Sequence, residues 1–214
     1  MALQAVLWDM DGTMVRTEEL WVISEARTMT KLGGVWTAQD AAVSIGGPLD
    51  RVVDYMAERV GRPPAEVSEI LVADIEELMQ AREIPWMPGA QELHDQLIAA
   101  GIAQALVSNS WRDLMDTVLD KLDTSFDVVI AGDEIDRPKP NPMPYIRAAE
   151  LLGASTAQTI VLEDSPTGIR AALGAGCTVV GVPLNSDLPP HPRLTIVDSL
   201  AEVDLEMLRK LIRD

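Results

Sequence analysis

The 214 residues include one cysteine, Cys177, and two histidines, His94 and His191, far apart in the chain. A lone thiol excludes an internal disulfide framework. Two separated histidines are too few for a His-rich zinc site or a Ser-His-Asp triad. Basic residues are half as many as acidic ones, 17 against 34, and the net charge is −17. That leaves no basic footprint for nucleic acid or an anionic membrane, although a metal ion and a few aimed donors can reverse the potential locally for a small anion. No apolar run reaches the roughly 18 residues a membrane span needs. The opening stretch MALQAVLWDMDG meets an acid at Asp9, which does not suit a signal peptide, so a cytoplasmic, reducing setting is expected. Repeats and flexible linkers are missing too. What remains is ordinary globular composition, 47% apolar and 24% charged. At roughly 150 residues per domain, the length allows one large domain or one domain with an insert.

Residues 3–8 form a short apolar run ending at Asp9 and read as a buried strand. Residues 17–82 then read as four helices without a strand. The first, 18–32, carries Leu20, Ile23, Ala26, Met29 and Leu32 on one stripe. The second begins at Thr37, with Asp40 placed for a capping box. The third opens at Gly47-Pro48 and ends at Gly61, and the fourth follows Pro63-Pro64. After the turn-rich Pro85–Gly89, strands and helices alternate. Strands are expected at 102–107, 127–131, 159–162, 178–182 and, more weakly, 195–197. Helices are expected at 89–100, 111–122, 142–152, 165–175 and 199–213. Alternating βα units make a Rossmann-like parallel sheet with helices on both faces. The four-helix block is then a cap inserted after the first strand. The expected division is a core of residues 1–15 and 87–214 with a cap of 16–86.

Ligands bind beyond the carboxyl ends of such strands. Three strand ends deliver polar residues there: Asp9-Met10-Asp11-Gly12-Thr13, Ser108-Asn109-Ser110 and Glu163-Asp164-Ser165. Lys139 lies in Pro138-Lys139-Pro140, a loop stiffened by proline on both sides. Clustered carboxylates call for a cation, and all-oxygen ligands suit Mg²⁺. One carboxylate can then act as nucleophile and another, two residues away, can carry the proton. A lysine and strand-end amides can neutralise the oxyanion. Together these parts move a phosphoryl group.

These four motifs, spread over residues 3–185, resemble the haloacid dehalogenase superfamily, in its phosphatase and phosphomutase branch with a small helical cap. The resemblance implies a Mg²⁺-dependent phosphomonoesterase working on a small phosphorylated metabolite, such as a sugar phosphate, phosphoglycolate or a nucleotide. It casts Asp9 as the nucleophile that forms an aspartyl phosphate, and Asp11 as general acid and base whose backbone carbonyl also ligates the metal. Asp164 becomes the carboxylate ligand, with Glu163 a second or water-mediated one. Ser108 and Lys139 become the phosphate clamp, Asn109 a supporting residue counted among the substrate contacts, Thr13 a supporting residue, and Gly12 the point of close backbone approach. A phosphomutase and a non-catalytic binding module are the alternatives. Mutases of this branch carry a histidine where this chain reads Glu18-Glu19-Leu20-Trp21, and a carbon–halogen hydrolase has no use for Asp11. Many relatives have an acid at the position of Arg16.

The cap says less. Arg51, after Gly46-Gly47-Pro48, either grips the far end of a substrate together with Gly47 or is a solvated helix arginine. Arg16 and Glu18 are expected on the hinge side, in a salt bridge or exposed. Trp21, Trp36 and Trp86 are expected in core packing. Trp111 faces either the cleft or the core. Cys177 is expected buried and His94 exposed. The acidic surface suits a monomer or weak homodimer.

Overall fold

The computed structural model describes residues 2–44, 47–182 and 190–212. Six strands form one parallel sheet in the order β3-β2-β1-β4-β5-β6. They are β1 (Ala5–Trp8), β2 (Ala103–Val107), β3 (Val128–Ile130), β4 (Thr159–Glu163), β5 (Thr178–Gly181) and β6 (Leu194–Ile196). The expected sheet is present, with strand ends within one or two residues of the expected bounds. β1 and β4 are central, and register pairs Trp8 with Leu106 on one side and with Leu162 on the other. Strand side chains alternate between faces. Val6 and Trp8 therefore enter one core cluster, with Leu106, Ile160, Leu162 and Val180, while Ala5 and Leu7 enter the other, with Ala105, Val107, Val161 and Val179.

Helices α5 (Ala90–Ala99), α6 (Arg112–Leu122) and α9 (Leu205–Leu211) cover the first face, through Leu93, Leu97, Leu114, Val118 and Leu208. Helices α7 (Met143–Leu151) and α8 (Pro166–Ala175) cover the second, through Tyr145, Ala148, Ile169 and Ala172. Each fully buried Leu, Ile or Val contributes about 1.5–3 kcal/mol relative to exposure. The expected helix 199–213 is divided into a 3-10 turn at Leu200–Glu202 and α9. Asp204 causes the break: its carboxylate accepts from Met207 N at 2.7 Å and caps a new helix.

The expected insertion stands between β1 and β2 as α1 (Glu18–Lys31), α2 (Ala38–Ser44), α3 (Leu49–Val60) and α4 (Pro64–Ala81). The Thr37–Asp40 capping box forms: Thr37 N donates to Asp40 Oδ2 at 2.8 Å, and Asp40 N to Thr37 Oγ1 at 3.3 Å. The cap has its own apolar cluster around Met29, Val53, Met56, Val67 and Leu71. At its base, Leu20, Ile75, Leu78 and Met79 join the core cluster. Entry and exit of the insertion lie side by side. Val15 bridges both Asp11 and Trp86, Arg16 N donates to Pro85 O at 3.0 Å, and Met87 N donates to Met14 O at 2.8 Å.

His94 does not face solvent. It is 2% exposed, with ring nitrogens 3.0 Å from Gln104 Oε1 and from Thr124 Oγ1, and its ring packs 4.8 Å from that of Phe126. Its neighbours in sequence are charged, but its own position falls on the buried stripe of α5 beside Leu93 and Leu97. Cys177 is buried as expected, and burial pushes its thiol up to about 12. Among the described residues, no helix is long and apolar enough to cross a membrane.

Candidate active site

The carboxyl end of β1 runs into a tight turn. Asp9 N still donates to Leu162 O at 3.0 Å, and the chain then reverses through Gly12 at φ 84°, a conformation that suits glycine. A side chain at position 12 would strike the carboxylates of Glu18 and Asp164. The turn therefore brings the backbone close to two acids supplied by α1 and by the end of β4.

Lys139 is the centre of charge balance. It is 2% exposed, with Nζ 2.6 Å from Asp9 Oδ1 and 2.9 Å from Glu163 Oε1, and 4.9 Å over the ring of Tyr145. Burial alone lowers a lysine, but the carboxylates of Asp9 and Glu163 hold this one above its usual value. Asn109 fixes its backbone from both sides: Lys139 N donates to Asn109 Oδ1 at 3.0 Å, and Asn109 Nδ2 donates to Lys139 O at 3.2 Å. The link from the loop after β2 to the lysine loop is thus a paired amide contact.

Glu163 is fully buried and every contact it makes is with a donor. Oε1 accepts from Lys139 and from Tyr145 Oη at 3.0 Å, and Oε2 accepts from Ser165 N at 2.9 Å and Ser165 Oγ at 3.0 Å. Ser165 is also the N-cap of α8, its Oγ accepting from Gly168 N at 3.0 Å. Asp164 accepts from Thr13 Oγ1 at 3.4 Å. Burial, then the charges of Asp9 and Glu163, push Asp164 well above the usual carboxylate range. Burial likewise pushes Asp9 up to about 8, against the pull of Lys139.

The Asp11 side chain is held by four donors. Oδ1 accepts from Thr17 Oγ1 at 2.6 Å and Trp21 Nε1 at 2.9 Å; Oδ2 accepts from Ser110 Oγ at 2.8 Å and Ser108 Oγ at 3.3 Å. In the sequence Thr17 and Ser110 had no assigned role, and Trp21 was expected in core packing. Thr17 occupies the N-cap position of α1 yet its hydroxyl serves Asp11 instead of the helix, and Trp21 follows one turn later. That i, i+4 pair after the Asp-x-Asp-Gly turn is the signal that could have found them.

One cavity of about 360 Å³ brings together Asp9, Asp11, Ser108, Asn109, Lys139 and Asp164 from the sheet edge, and Gly47 from the cap. Oxygens of Asp9, Glu163 and Asp164 all lie within 4.8 Å of one another, a group able to hold a metal ion. Trp21 packs against both the core and the cap clusters as expected and also lines the cavity; Glu18, expected on the hinge side in a salt bridge or exposed, lines the cavity instead. Arg51 is exposed on α3 with its guanidinium against Gly47, and it is not among the described lining residues. Trp36 donates Nε1 to Glu25 at 2.8 Å, and Trp111 packs against the apolar cluster of the cap.

A family model described as "Haloacid dehalogenase-like hydrolase" matches residues 6–182. Among curated proteins, hexitol phosphatase B of Escherichia coli (strain K12) is 29% identical over 97% of this chain and 93% of its own length. Pyrophosphatase PpaX of Halalkalibacterium halodurans is 32% identical over 87% of each chain. The crystal structure of CbbY from Rhodobacter sphaeroides in complex with phosphate superposes with a TM-score of 0.84 at 26% identity, covering 97% of this chain and 99% of that one. A mutant of the same CbbY has been solved with xylulose-(1,5)bisphosphate.

Proposed function

Since the chain belongs to the haloacid dehalogenase-like hydrolase family, we propose that it is a Mg²⁺-dependent phosphomonoesterase working through an aspartyl phosphate on a small soluble ester. The observation that carries this reading is the pairing of Asp9 and Asp11 at one cavity: one acid against a buried lysine, the other, two residues on, held by hydroxyls and an indole. A carboxylate nucleophile and a separate proton carrier are what phosphoester cleavage through a covalent intermediate needs. Hexitol phosphatase B, a phosphatase by name, matches over nearly the whole chain.

In this reading Asp9 attacks phosphorus, the ester P–O bond breaks, and Asp11 gives its proton to the departing oxygen. Asp11 then takes a proton from water as that water attacks the aspartyl phosphate, and inorganic phosphate leaves. Ser108 and Lys139 hold the phosphoryl oxygens. Asn109 positions Lys139 through its backbone, and Glu163 with Tyr145 fixes the ammonium. The three-acid group fits a hard cation, because buried carboxylates in mutual repulsion are what such a cation relieves. Glu163 already accepts from four donors, so Asp9 and Asp164 are the side chains that would hold Mg²⁺, with Glu163 behind them. When bound, Mg²⁺ supplies positive charge to the phosphoryl oxygens. The mutase alternative is disfavoured: no histidine is among the described cavity residues, and Trp21 holds Asp11 in the stretch where mutases carry one.

The test is phosphate release from a panel of phosphorylated metabolites, with Mg²⁺ and with EDTA, for wild type and Asp9→Asn. Metal-dependent release by wild type alone is expected. Release by Asp9→Asn at the wild-type rate would exclude the aspartyl phosphate, and a requirement for a bisphosphate primer would move the assignment to a mutase.

A further inference from the structure

Glu18 is the first residue of α1 and so belongs to the cap, yet its carboxylate reaches the core. An acid in the first turn suits a helix start, and the exposed Glu19 beside it meets that need without burial. Glu18 is different. Its Oε1 is buried and has no hydrogen-bond partner. A buried carboxylate oxygen without a donor is costly, so a donor is wanted at that spot.

Gly12 marks the spot. A Cβ built there would meet both Glu18 Oε1 and Asp164 Oδ2, so one small space has an acid from the cap on one side and an acid from the end of β4 on the other. Glycine keeps that space open. Asp164 turns its other oxygen to Thr13. The charges around the space do not balance. Lys139 is paired with Asp9 and Glu163, and among the described residues neither Asp164 nor Glu18 forms an ion pair with a base. The exposed Arg16 acts on Glu18 less than burial and Asp11 do, and the charge of Glu18 is one of those that raise Asp164 after burial itself. Two carboxylates bordering one gap suit a divalent cation with its water. Mg²⁺ keeps several of its waters, and each is a donor that a carboxylate can accept from.

We propose that Glu18 is the cap's own contribution to the cation site: its Oε1 accepts from a water on the Mg²⁺ that Asp9 and Asp164 hold, so that loading the metal also seats α1 against the sheet edge. Glu18 is a positioning residue here, acting through the cation's water. The proposal rests on the metal site of the phosphatase reading above and extends that site from the core into the insertion.

The experiment measures Mg²⁺ binding without substrate, by isothermal titration calorimetry, for wild type, Glu18→Gln, Glu18→Asp and, as control, Glu19→Gln. Losing a partner that orients a metal's ligands weakens affinity about 10–100-fold, so Glu18→Gln should raise Kd by about tenfold or more, while Glu19→Gln leaves it unchanged. Glu18→Asp keeps the charge but is shorter by one methylene, and should also bind more weakly. Wild-type affinity in Glu18→Asp would show that charge alone suffices and overturn the positioned contact. Should Glu18→Gln not fold, Glu18→Asp carries the test. Hydrogen exchange of the α1 amides from Leu20 to Thr28 should slow on adding Mg²⁺ in wild type and not in Glu18→Gln. No slowing in wild type overturns the tie between cation and cap. An unchanged Kd in Glu18→Gln overturns the proposal and leaves the phosphatase reading standing. If wild type itself binds no Mg²⁺, the metal site of that reading fails and this proposal falls with it.

Discussion

Trp21 donates its indole N–H to Asp11 Oδ1 at 2.9 Å, so a residue of the cap orients the proposed proton carrier of the core. The bond joins α1 to the turn after β1 and lies beside the Thr17 hydroxyl bond to the same oxygen. A hydrogen bond to a charged group is worth about 1.5–3 kcal/mol, and a factor of ten corresponds to about 1.4. Trp21→Phe keeps the ring and removes the donor. Its kcat should fall roughly tenfold or more with a smaller change in KM, measured by steady-state phosphate release. An unaltered kcat would show that Thr17, Ser110 and Ser108 suffice.

Gly168 lies under the Glu163 carboxylate in the first turn of α8, and a methyl group there would overlap both oxygens. The carboxylate cannot retreat without releasing Lys139, Tyr145 and Ser165. Breaking a buried charge pair costs about 3–5 kcal/mol. Gly168→Ala should therefore lower Tm by several degrees in a thermal melt and lose most phosphate release. Gly174→Ala is the control, because its nearest neighbour, a Pro142 side-chain carbon, stands at an ordinary contact distance of 3.5 Å.

Cation binding should be visible without turnover. Asp9 and Asp164 are raised by burial and by like charge, so an ion held between them stabilises the folded chain. At a hundred times Kd, a ligand specific for the folded state adds about 2.7 kcal/mol. Mg²⁺ should raise Tm in wild type and much less in Asp164→Asn, and EDTA should abolish both the shift and phosphate release. An equal shift in both proteins would place the ion elsewhere.

The start of α2 should be acid-sensitive. The Thr37 hydroxyl, then the Tyr55 hydroxyl, hold Asp40 down at about 2, below its ordinary 3.8. A depressed folded value means that the stabilisation is complete above pH ~4 and is lost as pH falls through about 2. Amide exchange at residues 38–41 should accelerate across that interval in wild type. Asp40→Asn should exchange faster throughout and show no such step.

The parallel sheet was legible because buried strands leave runs such as Ala5–Trp8 and Thr159–Glu163, each followed by polar residues at the sheet edge. The four motifs could be placed by the same logic. What stayed hidden depends on side chains from distant segments. Trp21 reads as an apolar helix residue until the turn at Gly12 brings Asp11 under it. His94 sits among charged residues in sequence, and only its partners Gln104 and Thr124, supplied by β2 and the α6–β3 loop, make its burial tolerable. Glu18 looks like an ordinary first-turn acid of α1, and no local pattern reveals that its Oε1 ends beside Asp164. Asn109 was read as a substrate contact because nothing local shows its pairing with a loop thirty residues away.

Val15 touches both Asp11 and Trp86, so the chain leaves the core and re-enters it at one point. To the sheet, everything between is a short loop, and the entropy of closing a loop rises only slowly with its length. The block from α1 to α4 should therefore be open to grafting, provided the replacement brings a donor for Asp11 and apolar side chains where Leu20, Ile75, Leu78 and Met79 join the core cluster. The same junction would let one phosphate-cleaving edge acquire a new diet by swapping its mouth.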